Sequence, residues 1–373
     1  MVTIKKLLSL ITLFSLPAFL YPHIIKINNC SNKKQIVNNM SVEDFSLHPT
    51  QRTVMNYLHK KYTEIFDLET RIGLKIKDLD TSDMISCAWL YFDYKKNNKI
   101  YKPLAIGFKS GIIILLIIDL DKQTYEIIKK FDLKQPISHI EANIHLKSPG
   151  SQFWAVTTGH TSMFNDEAYT YFFIKDQRAN TIKIDNSIFR APAFPGFETN
   201  KNKIYSSLAW QKKSNNNNIT VINGFFDNKL SSIILSGKYG GLDHYPLNTN
   251  WIATGKHDVE KNERARVNIF NIKTKEFIFS FPMQVPGSPI NDLSFNKEDQ
   301  HIVAVGYGGY VDIWYIDAAN KKAQRVGYVQ PQPAAAKKIR WWKVNDRLTW
   351  FFVLYECGLL GGWEIETNQK NKN

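Results

Sequence analysis

Cysteine is almost absent. Cys30, Cys87 and Cys357 are the three in 373 residues, too few for a disulfide framework, and no CxxC spacing marks a metal clip. Cys87 and Cys357 lie inside apolar, strand-like runs and read as small core residues. Catalytic signatures are missing as well: there is no GxSxG elbow, HExxH helix or GxxxxGK[ST] loop. "GYGGYV" (306–311) begins like a nucleotide loop, but it joins two strand-like runs instead of opening a helix, so it reads as a turn. Acid is scarce relative to base, with 34 Asp and Glu against 48 Lys and Arg, a net charge of +14. That balance suits an anionic surface or nucleic acid as partner. Much of it, however, is Lys in the company of Asn, as in "KKSNNNN" (212–218), the residue drift of an A/T-rich genome.

Apolar residues are plentiful. At 43% hydrophobic, with 23 Phe, 17 Tyr and 9 Trp, the chain can fill a large core, which argues against disorder. The N-terminus stands apart: Lys5-Lys6 precede about fifteen mostly apolar residues, the layout of a secretory signal peptide over residues 1–22. Ala18 is the small residue best placed for cleavage, and no cysteine is close enough for lipid attachment. An uncleaved membrane anchor is the competing reading, with Pro17 and Pro22 against a stable spanning helix. The expectation is export, into the periplasm or outside the cell, or attachment to a membrane.

The remainder repeats itself. "NDLSFNKEDQHIVAVGYGGYVDIWYID" (291–317) is an alternating strand, a turn, a strand apolar on both faces, a tight Gly turn and a third strand ending at Asp317. Copies of this grammar begin near residues 45, 85, 139, 206, 243, 291 and 339, the fourth having a weak ending. Closing positions Phe66 and Trp363 are 297 residues apart over six steps, about 49 per repeat, near the period of propeller blades. Further strands between copies, such as "YEIIKKFDL" (125–133) and "EFIFSFPM" (276–283), bring each blade to four. The expected fold is all-β: a seven-bladed β-propeller of four-stranded antiparallel blades over residues 33–366, followed by a polar tail, 367–373. The last copy lacks an outer strand. "KKQIVNN" (33–39), or less favourably "HIIKIN" (23–28), would supply it and close the ring.

These repeats resemble those of the WD-repeat β-propellers, on "FSLHPTQRTVMNYLHKKYTEIFDLET" (45–70) and "DLSFNKEDQHIVAVGYGGYVDIWYID" (292–317). The likeness is one of pattern: the opening Gly-His is missing, and Trp-Asp is replaced by Phe66-Asp67, Ile118-Asp119, Trp314-Tyr315 and Trp363-Glu364. It implies a non-catalytic scaffold for a protein or peptide partner, with no cofactor. A propeller enzyme with its site in the central channel is the alternative.

Connections after the second strand of each blade should gather on one face. They would bring His59, Lys60, Lys109, His160, Lys256, His257, Tyr307 and Tyr310 together as partner-binding residues. Two of these connections, 159–168 and 255–265, are long and carry His, Asp and Glu, though their spacing fits no calcium loop. The lysines of 212–218 are expected on the opposite face. Trp341 and Trp342, adjacent in a strand, should enter the cores on its two sides.

Overall fold

A computed structural model describes residues 25–29, 42–48 and 54–367, less a number of connections, the longest being 143–152, 158–167 and 185–196. From 143 to 232 it describes the backbone alone. The N-terminal apolar run and the tail from 368 onward lie outside the described residues.

Seven four-stranded antiparallel sheets follow one another along the described chain. The first consists of Val42–Leu47, Val54–His59, Tyr62–Asp67 and Gly73–Ile76. The second, Met84–Trp89, Leu104–Phe108, Ile112–Asp119 and Thr124–Asp132, carries an inserted hairpin, Tyr94–Lys96 with Lys99–Tyr101, between its first two strands. The third runs from Ile137–Ala142 to Gln177–Ile184. The fourth is Phe197–Asn200, Lys203–Ser214, Asn217–Phe226 and Lys229–Ser236. The fifth is Tyr239–His244, Trp251–Lys256, Arg266–Asn271 and Glu276–Pro282, and the sixth is Ile290–Phe295, Ile302–Tyr307, Tyr310–Asp317 and Lys322–Val329. Ala336–Lys343, Leu348–Tyr355 and Leu360–Thr367 make the seventh, whose fourth strand is Ile25–Asn29, antiparallel to Leu360–Thr367 with Ile25 opposite Thr367. The favoured sequence candidate for that strand, 33–39, lies outside the described residues.

Doubly apolar strands have a simple consequence. Along Ile302–Val305, Ile302 and Ala304 pack into the core shared with the seventh sheet, while Val303 and Val305 pack into the core shared with the fifth. All four are fully buried, and burying a Val or Ile side chain is worth about 1.5–3 kcal/mol. The other cores repeat this arrangement. Leu58 and Ile65 meet Cys87 and Trp89, Ala105 and Leu115 meet Ile137 and Ile140, and Ile233 and Leu235 meet Leu242 and Ile252. Phe45 and Met55 of the first sheet meet Trp342 and Phe352 of the seventh, which carries the arrangement from the last sheet back to the first. Trp341 faces the sixth sheet instead and donates its indole N–H to the Ser294 carbonyl at 2.7 Å. The adjacent tryptophans thus enter two different cores, as strand alternation requires.

The innermost strands have a free edge, and side chains fasten it. A β-bulge interrupts the innermost strand of six sheets between Val42/Asp44, Met84/Ser86, Ile137/His139, Gly240/Leu242, Ile290/Asp292 and Ala336/Lys338. Polar residues at or just after the bulge then accept from the next sheet's backbone. Cys87 N–H donates to Asp44 Oδ2 at 2.9 Å, Ile140 N–H to Ser86 Oγ at 3.1 Å, Phe295 N–H to Asp243 Oδ2 at 2.8 Å and Ile339 N–H to Asp292 Oδ2 at 2.7 Å. The seventh sheet returns to the first through Lys338, whose Nζ donates to Asp44 Oδ1 at 2.5 Å and to the Phe45 carbonyl at 2.7 Å.

Candidate partner-binding face

Antiparallel order fixes which connections share an end of the propeller. Connections from second to third strand, and those from the outer strand to the next sheet, lie at one end; the other two kinds lie at the opposite end. The bulged starts of the inner strands belong to the first end.

In the sixth sheet the second-to-third connection is the two-residue turn Gly308-Gly309, bounded by Tyr307 and Tyr310. A Cβ on Gly309 would lie 1.9 Å from the Gln332 carbonyl oxygen, so the close approach of the next connection requires glycine there. Tyr310 is half-buried and stacks on Tyr307 with centroids 5.5 Å apart. Tyr307 departs from the expectation of an exposed contact residue. It is fully buried, because alternation along an all-buried strand turns its ring inward, and its hydroxyl donates to Asp312 Oδ2 at 2.6 Å. Burial first, and then the hydrogen bond to Asp312, push its phenol well above the ordinary range. Arg325 closes this group from the outer strand, with Nη2 at 2.8 Å from Asp312 Oδ1 and its guanidinium 4.6 Å from the exposed Tyr328 ring. Burial raises the Asp312 carboxyl, and Tyr307 and Arg325 oppose the rise.

The long 255–265 connection of the fifth sheet is tied down from within. Lys256 Nζ donates to both carboxylate oxygens of Glu263, at 2.7 and 2.9 Å. This hydrogen bond raises the Lys256 ammonium and lowers the Glu263 carboxyl. His257 reaches across to the sixth sheet, Nδ1 donating to the Ile290 carbonyl at 3.2 Å. Lys109 is exposed beside a turn held by Asp83, whose carbonyl accepts Lys109 N–H at 2.8 Å and whose carboxylate accepts Ser110 N–H at 2.6 Å. His59 ends its strand at this same end. The His59 side chain, Lys60 and His160 lie outside the described residues. The topology therefore brings Lys109, Lys256, His257 and Tyr310 to one end and removes Tyr307 from its surface. Among the described residues no three His, Cys, Asp or Glu side chains converge as a metal ion would need.

Two expectations need correction. Ser214 and Asn217 face each other across the turn joining the second and third strands of the fourth sheet, so 212–218 belongs to the same end as Tyr310. The inner strand of that sheet is the four-residue Phe197–Asn200, too short to show alternation, and the run near 206 that reads as an inner strand is the second. Cys357 is exposed in the turn after Leu348–Tyr355, outside the apolar run that precedes it.

Sequence reasoning also missed the inner rim. Asp292 is fully buried, with Arg340 Nη1 at 3.4 Å from the oxygen that Ile339 N–H reaches. Burial raises its carboxyl to about 7 despite Arg340 and the backbone donors. The available signal was an acid in "VED", "GLD" and "IND", recurring just before the first alternating residues of a copy.

Antiparallel four-stranded sheets in succession along the chain, with shared cores wherever side chains are described, are the arrangement of a propeller. Solved structures agree. The chain matches a chain of the mitotic checkpoint complex with a TM-score of 0.56 and 10% identity over 91% of each chain. It matches the RRP9 WD40 repeats at 0.55 and 10% over 92% of this chain and 97% of that one. Sqt1 of Saccharomyces cerevisiae gives 0.52 and 8% over 88% and 96%. The fold is that of the WD40-repeat propellers. No protein-family model matches the chain, and neither does any curated protein sequence.

Proposed function

We propose that this WD40-like propeller is a non-catalytic scaffold that holds a protein or peptide partner on the end carrying Lys109, Lys256, His257 and Tyr310, and that it works in an exported or membrane-attached state. The observation that carries the binding reading is the contrast between rigid sheets and unequal connections: apolar cores fix the strands, while one end offers an exposed lysine, a half-buried tyrosine and a long charged connection. A scaffold of that kind changes its loops without disturbing its cores. The buried carboxylates of the inner strands support a structural role over a catalytic one, since Asp44, Asp243 and Asp292 each accept a backbone N–H of the following sheet. Export rests on Lys5-Lys6 and the apolar run behind them.

The test begins with capture of partners by the tagged full chain in its own cell. Replacing Lys109→Glu, Lys256→Ala and Tyr310→Ala together should weaken the captured interaction at least about 30-fold if one of them is an anchor, with the chain still folded and its melting temperature lowered only by the lost Tyr307–Tyr310 stack and Lys256–Glu263 pair. Lys122→Glu, at the opposite end, should bind normally. The reverse pattern refutes the assignment of the face. N-terminal sequencing of native protein checks export, and a soluble cytoplasmic chain retaining Met1 would contradict it.

A further inference from the structure

Independently of any partner on the first end, we infer that the opposite end of the propeller rests on an acidic membrane surface. Strand polarity is the starting point. Ile25–Asn29 runs antiparallel to Leu360–Thr367, with Ile25 beside Thr367. Thr367 ends a third strand, so Ile25 sits at the end opposite Tyr310, and the chain before it, with its apolar residues 7–20 behind Lys5-Lys6, joins the propeller there.

The surface at that end has the matching chemistry. Four of the seven large apolar side chains that are exposed among the described residues, Ile72, Ile100, Leu247 and Phe277, belong to connections or strand starts at this end. Basic residues accompany them: Lys95, Lys122, Lys273, Lys275 and Lys321 are all exposed at the same end.

The inserted hairpin of the second sheet shows most clearly how such a surface is built. A two-stranded ribbon is marginal by itself, and this one is fixed by one face. Lys96 pairs with Glu126, Lys99 with Asp119 at 3.2 Å, and Tyr94 packs against the core between the second and third sheets. At its base Lys102 pairs with Asp93 at 2.6 Å. These pairs occupy Glu126, Asp119 and Asp93, while Asp121 is exposed in the neighbouring connection. Cross-strand partners Lys95 and Ile100 share the other face of the ribbon, and Ile100 is 60% exposed. A basic residue beside an exposed apolar one is what an acidic bilayer takes up: the chain buries in the interface and the ammonium stays among headgroups. No helix among the described residues is long and apolar enough to cross a membrane.

The full chain provides its own reference point, because Cys357 is exposed at the first end and Cys87 is buried. An environment-sensitive thiol dye is placed on Cys357 in Cys30→Ser, and on Ile100→Cys or Leu247→Cys in Cys30→Ser/Cys357→Ser. Phosphatidylcholine vesicles are then added with and without phosphatidylglycerol. The inference expects the dyes at 100 and 247 to be shielded from an aqueous quencher by the acidic vesicles and released by salt, and the dye at 357 to stay in water. Lys95→Glu should weaken partition into acidic vesicles by about five-fold or more. Shielding at 357 instead of 100 would reverse the orientation, equal shielding by neutral vesicles would remove the acidic recognition, and no response at any position would overturn the inference.

Discussion

Replacing Lys338 by Met removes one charge from the junction of the seventh and first sheets while keeping the side chain's length. Lys338 Nζ lies 2.5 Å from Asp44 Oδ1 and 2.7 Å from the Phe45 carbonyl, and the two ionic side chains are only 6% and 8% exposed. Removing one partner of a buried pair typically costs about 3–5 kcal/mol, because the other charge is left uncompensated. Asp44 retains Ser86 Oγ and the N–H groups of Phe45 and Cys87, all at 2.9 Å, which places Lys338→Met near the lower end, about 3 kcal/mol. The Lys256–Glu263 pair gives the scale for comparison: its side chains are 29% and 39% exposed, and Lys256→Met should cost no more than about 1 kcal/mol. Urea unfolding of both variants at neutral pH measures the difference. Lys338→Met/Asp44→Asn adds a second reading. An amide keeps an acceptor for Cys87 N–H without a stranded charge, so the double variant should be more stable than Lys338→Met alone. Equal midpoints for Lys338→Met and Lys256→Met, with no rescue by Asp44→Asn, would refute the reasoning.

Removing residues 1–29 should lower the melting temperature of the whole propeller, since five register pairs with Leu360–Thr367 are lost, whereas removing 368–373 should change it little; equal effects would deny the strand its role. Gly309→Ala should destabilise by about 1–3 kcal/mol, because its Cβ would collide with the Gln332 carbonyl, and thermal melting at neutral pH tests this. The Asp292 carboxyl is raised to about 7, so the folded chain holds a proton that the unfolded chain has released above about 3.8. Its contribution is therefore present below that lower value and lost as pH rises through 7. Asp292→Asn should accordingly gain stability relative to the parent between pH 5 and pH 8, read from paired melting curves, and a constant difference would contradict the buried titration.

Particular residues show where sequence reading reaches and where it stops. Ile302–Val305 is apolar at consecutive positions, and a strand with no polar face has to be covered twice; the sheet-on-sheet packing is already implicit in those four letters. The same logic placed Trp341 and Trp342 in different cores. It failed for Phe197–Asn200, where four residues are too few to carry a period. It did not reveal the hairpin at 94–101, because "YKKNNKIY" is polar enough to pass for a loop and the ribbon is held by long-range ion pairs to Glu126 and Asp119 and by Tyr94 against the core. Tyr307 was misplaced because a turn residue and the last residue of a buried strand look alike until the inward direction of the strand is known.

Period, composition and the alternation of apolar residues were enough to determine the class of fold, since each of those properties is local to a strand and its neighbours in sequence. Which end of the propeller a connection occupies, and which polar residues tie one sheet to the next, depended on the three-dimensional arrangement. Asp44 meets Lys338 across 294 residues, and Ile25–Asn29 completes a sheet begun at Ala336. Such pairings cost chain entropy to close and are repaid only when all the intervening sheets are in place, so nothing in the residues between them announces the partner.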